Sequence, residues 1–223
     1  MPGMVIAIAP DVGQNPWEVF TGELRYPEDT VVVLAGIPGA GKSTLLRRLF
    51  PETAAVDSGV RVFDSERIRD RWMPTLGAIP YAWWRPLLHL TYYVRVLRAM
   101  RDGGPLVVHD CATRPWVRRL IGWRARRSGL TPHLILLDIS GAAARSGQQT
   151  RGRVVRAGSM AKHCRRWPLL LDQAMANPTR IVPGAATAVV LNRHQADQLV
   201  SIRFESRSES PPTEASGSAD LPR

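Results

Sequence analysis

Eight consecutive residues, Gly36-Ile37-Pro38-Gly39-Ala40-Gly41-Lys42-Ser43, have the types and spacing of a phosphate cradle, G-x-x-x-x-G-K-[ST], and Thr44 follows directly. Glycines let such a loop take positive φ and turn its N–H groups inward around phosphate oxygens. A helix opening on the loop aims its positive dipole end at the same oxygens. Lys42 then supplies a compact charge for the β- and γ-phosphates of a nucleoside triphosphate, and the Ser43 hydroxyl a ligand for Mg2+. The chain has 30 Lys+Arg, of which only Lys42 and Lys162 are lysines. A lysine inside the motif of so arginine-rich a chain fits the need for an ammonium rather than a planar guanidinium.

A second group follows at Asp64-Ser65-Glu66-Arg67-Ile68-Arg69. A carboxylate at the carboxyl edge of a parallel strand, beside the phosphate loop, can take the proton of an attacking hydroxyl or hold Mg2+ through water. Glu66 and Asp64 both qualify as the base. Glu66 and Arg69 are three apart and share a face if the segment is helical. Such a pair suits a hydroxyl acceptor that itself carries negative charge. The plainer alternative is an N-cap, Asp64 or Ser65, followed by solvated charges. Asp110 ends a later apolar stretch, where the plain reading is a cap of the next turn; Asp138 ends another and ranks below it. Arg145, Arg151, Arg153 and Arg156 crowd a segment between two helical stretches, and a solvated basic turn is the plain reading of that segment.

Trp72, Tyr81, Trp83, Trp84, Tyr92 and Tyr93 cluster among Arg67, Arg69, Arg71 and Arg85. Rings interleaved with arginines can stack the bases of single-stranded nucleic acid, or line a small acceptor pocket. For Trp83 the preferred reading is burial: Trp83, Leu87, Leu90, Val94 and Leu97 make a helical stripe, with Thr91, Arg95, Arg98 and Asp102 opposite. Trp72 and Trp84 fit core packing less well.

The elements that must position these groups alternate in type. Val31–Ala35, Val60–Phe63, Pro105–Asp110, His133–Ile139 and Thr187–Leu191 read as short buried strands, with a further short strand within Met4–Ala9. Helices are expected from Lys42 to Phe50, over one or two turns at 65–72, from about Pro86 in the stretch 82–102, and over 115–128, 141–150, 158–175 and 195–201. Pro74, Gly77 and Pro80 mark a loop. The pattern predicts an α/β fold, a three-layer α/β/α sandwich with a mainly parallel five-stranded sheet. The expected organisation is an N-terminal segment (1–29), one domain (30–205) and a disordered Ser/Pro/Glu-rich tail (206–223).

Composition narrows the setting. A net charge of +11 favours anionic ligands. No apolar run approaches the roughly 20 residues of a membrane span, and no signal peptide is read at the N-terminus. Cys111 and Cys164 are expected as reduced thiols of a cytoplasmic protein. His89, His109, His163 and these cysteines lack metal-ligand spacing, so no zinc site is expected.

The loop Gly36–Thr44, the D-x-[DE]-x-x-R pattern at 64–69 and the run Leu106-Val107-Val108-His109-Asp110-Cys111-Ala112-Thr113 together resemble the P-loop kinases of the polynucleotide kinase and zeta toxin type. These stand among AAA-type ATP-binding proteins and are also similar to gluconate and adenylylsulfate kinases. The resemblance spans roughly residues 30–200. It implies ATP and Mg2+ as cofactors, with Gly36–Thr44 around the phosphates and Ser43 and Asp110 at the metal. It implies a base at Glu66, where the group usually has Asp, and a lid whose Arg151 and Arg153 clamp the transferring group, with Arg145 and Arg156 flanking. The expected activity is transfer of the γ-phosphoryl group of ATP to a hydroxyl of an anionic small molecule or a nucleic-acid end. The alternative is a nucleotide-binding regulatory module with little or no transfer.

Overall fold

The computed structural model describes residues 5–6, 22–51, 59–110, 114–149 and 155–206. Arg151, Arg153, Cys111, residues 1–4 and 7–21 of the N-terminal segment and residues 207–223 of the tail lie outside the described residues. In chain order the elements are β1 (Val5–Ile6), β2 (Glu23–Pro27), β3 (Thr30–Gly36), α1 (Lys42–Leu49), β4 (Arg61–Phe63), α2 (Ser65–Leu76), α3 (Tyr81–Arg101), β5 (Leu106–Asp110), α4 (Pro115–Arg127), β6 (Thr131–Leu137), α5 (Gly141–Gln149), α6 (Ala157–Ala176), β7 (Thr187–Leu191), α7 (Arg193–Gln198) and β8 (Ser201–Glu205).

The continuous apolar runs become the centre of the sheet because strands covered on both faces bury every side chain. All seven residues of β3 are buried. The sheet runs β1-β7-β6-β3-β5-β4 and every pairing is parallel. The five expected strands are therefore present, with the two-residue β1 added at one edge. Unforeseen is a separate parallel pair, β2 with β8, joining Glu23–Pro27 to Ser201–Glu205. Parallel strands with helical crossovers bring all their carboxyl ends to one edge, where ligands of such sheets bind.

Three local expectations fail for identifiable reasons. The helix begun at Ser65 passes through Pro74 and ends at Leu76, because a proline in the last turn forfeits only one interior bond. The next helix starts at Tyr81 rather than near Pro86, with Pro80 in extended conformation as its N-cap. The largest difference is the rotation of α3. The residues it buries are Trp84, Leu88, Tyr92, Tyr93, Val96, Ala99 and Met100. Trp83, expected in the core, is 81% exposed. Both faces of α3 are apolar, and the choice falls to polar groups. The Tyr92 hydroxyl donates to the carbonyls of Phe63 and His109, the Tyr93 hydroxyl to Asp110 Oδ1 (3.1 Å), and Trp84 Nε1 to the Ile79 carbonyl (3.2 Å). Rings with a polar handle satisfy it where backbone carbonyls are free to accept.

Candidate active site

The phosphate loop joins β3 to α1. Gly39 and Gly41 have φ of +88° and +95°, which L side chains rarely adopt. A Cβ on Gly39 would stand 2.1 Å from the Ala144 carbonyl oxygen of α5, so that helix packs directly on the loop. Lys42 is buried, and its Nζ donates to the carbonyls of Gly36 (2.7 Å) and Ile37 (3.0 Å), which holds the ammonium across the loop. Ser43 is buried at the start of α1. Ile37 and Ala40 turn into the core, and Thr44 is exposed.

A cavity of about 730 Å3 opens above the loop. Pro38, Gly39, Gly41, Lys42 and Ser43 form its floor; Glu66, Arg69, Tyr81, Arg85 and His89 form one wall; His109 lies between them; Gln148, Arg156 and Ser159 close the other side. The cavity thus brings together Lys42, Ser43, Glu66 and Arg69. Glu66 faces Arg47 at 3.6 Å. The Arg69 guanidinium lies 4.7 Å from the centre of the Tyr81 ring, a cation–π contact that orients it. Arg145 is exposed on α5.

Asp64 and Asp110 do not line the cavity. Asp64 caps α2, its Oδ1 accepting from the Glu66 amide at 2.9 Å. The same oxygen lies 2.6 Å from His109 Nδ1, and that nitrogen is 3.4 Å from Ser43 Oγ. Burial pushes the Asp64 carboxyl up, but the bond and charge of His109, the Glu66 amide and the Ser43 hydroxyl outweigh it and hold the group down at about 2. Asp110, implied at the metal by the resemblance, accepts from the Tyr93 hydroxyl. The cause is strand alternation: neighbours on β5 point to opposite faces, so His109 takes the side of Ser43 and Asp110 the side of α3.

The AAA-domain family matches residues 31–178. The chain belongs to that family. No curated protein matches it. Among solved structures, a chain of the PezAT chromosomal toxin–antitoxin system of Streptococcus pneumoniae is similar at 12% identity, with a TM-score of 0.55, over 80% of this chain and 79% of that one. A candidate kinase of Chloroflexus aurantiacus is similar at 15% identity, with a TM-score of 0.51, over 74% and 86%. This AAA-domain chain has the α/β fold of the P-loop kinases.

Three further residues of this AAA domain contribute to the site. His109 lacks metal-ligand spacing in the sequence; the parity of β5 is the signal that places it on the side of Ser43. His89 lines the cavity and is pushed down to about 4 by burial and by Arg114 and Arg85, so its ring is neutral at pH 7. Gln148 is buried, donates to the Pro38 carbonyl (2.8 Å) and accepts from the Val155 amide (2.9 Å). It ties the phosphate loop to the residues following 150–154, and nothing in its sequence neighbourhood signals this. No helix among the described residues is long and apolar enough to cross a membrane, and none of their His, Cys, Asp and Glu form a group of three suited to a metal ion.

Proposed function

We propose that the chain is an ATP-dependent phosphotransferase that moves the γ-phosphoryl group to a hydroxyl of an anionic acceptor. The observation that carries this reading is the single cavity shared by the phosphate loop, Glu66 and two arginines, Arg69 and Arg85. The loop amides and Lys42 hold the β- and γ-phosphates. Glu66 takes the acceptor's proton, and Arg69, fixed against Tyr81, and Arg85 bind the acceptor's negative charge. Arg156 adds positive charge from the opposite wall, and Arg151 and Arg153 complete the clamp on the equatorial oxygens.

Mg2+ fits the donors present. Ser43 offers a hydroxyl, and Asp64 has a buried second oxygen, Oδ2, without a hydrogen-bond partner. Hard oxygen donors of this kind suit the ion, which would neutralise charge on the phosphates. Asp110 would support the site only from behind His109. His109 orients the Asp64 carboxylate toward Ser43.

The test is a transfer assay with labelled ATP and a panel of 5′-hydroxyl oligonucleotides, nucleosides, sugars and aminoglycosides. A labelled product abolished by both Lys42→Ala and Glu66→Gln is expected. A product formed equally well by Lys42→Ala would sink the reading.

A further inference from the structure

The face of α3 turned to solvent is apolar. Trp83, Leu87 and Leu90 are 81%, 55% and 61% exposed, and Val94 and Leu97 continue the line half-buried. The five residues step 4-3-4-3, the spacing of a helix–helix seam. At 1.5 Å per residue the line is about 21 Å long. The opposite face is equally apolar and already packed, through Trp84, Leu88, Tyr92, Val96 and Met100. Two opposite faces of the helix are apolar, and the described residues cover one side only. Scattered exposed leucines need no explanation, but an aligned stripe marks an interaction site.

The width of the stripe and the charge around it select the occupant. It is a single line flanked on one side by Thr91 and the exposed Arg98, with Arg101 exposed at its end. A lipid surface calls for a broad apolar face, whereas a narrow a/d line fits one helix. Trp83 is the one ring in the line, and its leucines and valine give nucleic-acid bases nothing to stack on. The helix carries Arg85, Arg95, Arg98 and Arg101 and no Asp or Glu. Neighbouring α4 likewise has five arginines and no acidic residue. A second copy of this surface would set like charge against like. We propose that the α3 seam docks an acidic amphipathic helix of another protein, its apolar edge along Trp83, Leu87 and Leu90 and its carboxylates against Arg98 and Arg101. The proposal is independent of the phosphotransfer reading.

The test uses the full chain and two labelled synthetic 21-residue helical peptides. Both have leucines stepping 4-3-4-3; one has glutamates beside them, and in the other every glutamate is replaced by lysine. Fluorescence anisotropy should show the glutamate peptide binding at least about tenfold tighter than the lysine peptide. Leu87→Ser with Leu90→Ser should weaken it about tenfold or more and leave the melting temperature almost unchanged, since both sites are on the surface. Arg98→Glu should reverse the preference toward the lysine peptide. Equal binding of the two peptides, or none, overturns the proposal. So does sedimentation showing self-association that the double serine variant abolishes, which would make the occupant a second copy. Phosphatidylserine vesicles or an oligonucleotide bound through the same leucines while the peptide is not would overturn it too.

Discussion

Replacing Asp64 by Asn removes one buried charge while keeping the side chain's size and its ability to cap α2. Asp64 is 3% exposed, with His109 Nδ1 at 2.6 Å and the Glu66 amide at 2.9 Å on one oxygen. Its carboxyl stands at about 2 against an ordinary 3.8. At 1.36 kcal/mol per pH unit, that difference makes the ionised form stabilise the fold by roughly 2 kcal/mol. Because the folded value is the lower one, this contribution is complete above 3.8 and is lost as pH falls through about 2. The assay is urea unfolding, followed by tryptophan fluorescence, of the parent, Asp64→Asn, His109→Gln and the double variant. At pH 7, Asp64→Asn is expected to cost roughly 2 kcal/mol. His109→Gln should cost at least as much, because it leaves the buried charge poorly compensated. The two changes should couple by about 1.5–2 kcal/mol, as expected for a charge-assisted bond. Below 3.8 the gap between the parent and Asp64→Asn should narrow. Effects that add to within about 0.5 kcal/mol, or a gap that does not change on acidification, would refute the reasoning.

Two further outcomes follow from the same structure. Gly39→Ala combines a φ of +88° with a Cβ 2.1 Å from the Ala144 carbonyl, whereas Gly129→Ala has a φ of +67° and nothing within 4 Å of the new atom. The second should lose only the backbone penalty of about 1–2 kcal/mol; the first should lose more, and nucleotide binding with it. Equal melting temperatures for the two would show that α5 does not press on the loop. Burial lowers both His133 and His89 to about 4, His89 with help from Arg114 and Arg85. The unfolded chain takes up these protons near 6.5 and the folded one does not, so stability should fall between pH 7 and 4.5. His133→Gln should flatten that slope in melts across the range, and an unchanged slope would contradict the assignment.

What the sequence reveals depends on how far apart the cooperating residues are. The phosphate loop is contiguous, so Gly36–Ser43 declares its chemistry without tertiary information. The five apolar runs are equally legible, because a strand buried on both faces needs no partner to be recognised. The β2·β8 pair stayed hidden because its strands are short, mixed in polarity and at opposite ends of the domain. On α3 the periodicity is ambiguous, since Trp83-Leu87-Leu90-Val94-Leu97 and Trp84-Leu88-Tyr92-Val96-Met100 both run at helical spacing. Only the carbonyls and carboxylate that receive the tyrosine hydroxyls break the tie, and these lie on β4 and β5.

The metal-side residues teach a sharper rule. The resemblance implies Asp110, at the end of its strand, as the carboxylate of the metal site. The pleat of that strand sets it apart from Ser43. In the register of β3 with β5, Leu34 lies opposite His109 and Ala35 opposite Asp110. The two β5 side chains must therefore diverge, and only one can reach the side of the sheet from which Ser43 looks down. That one is His109, 66 residues beyond Ser43 in the chain and in contact with it. Asp110 accepts from Tyr93, and the carboxylate bonded to His109 on the Ser43 side is Asp64, delivered by the neighbouring strand. A strand-end acid in an α/β sheet is thus a candidate ligand only after its parity has been checked against the loop it is meant to serve.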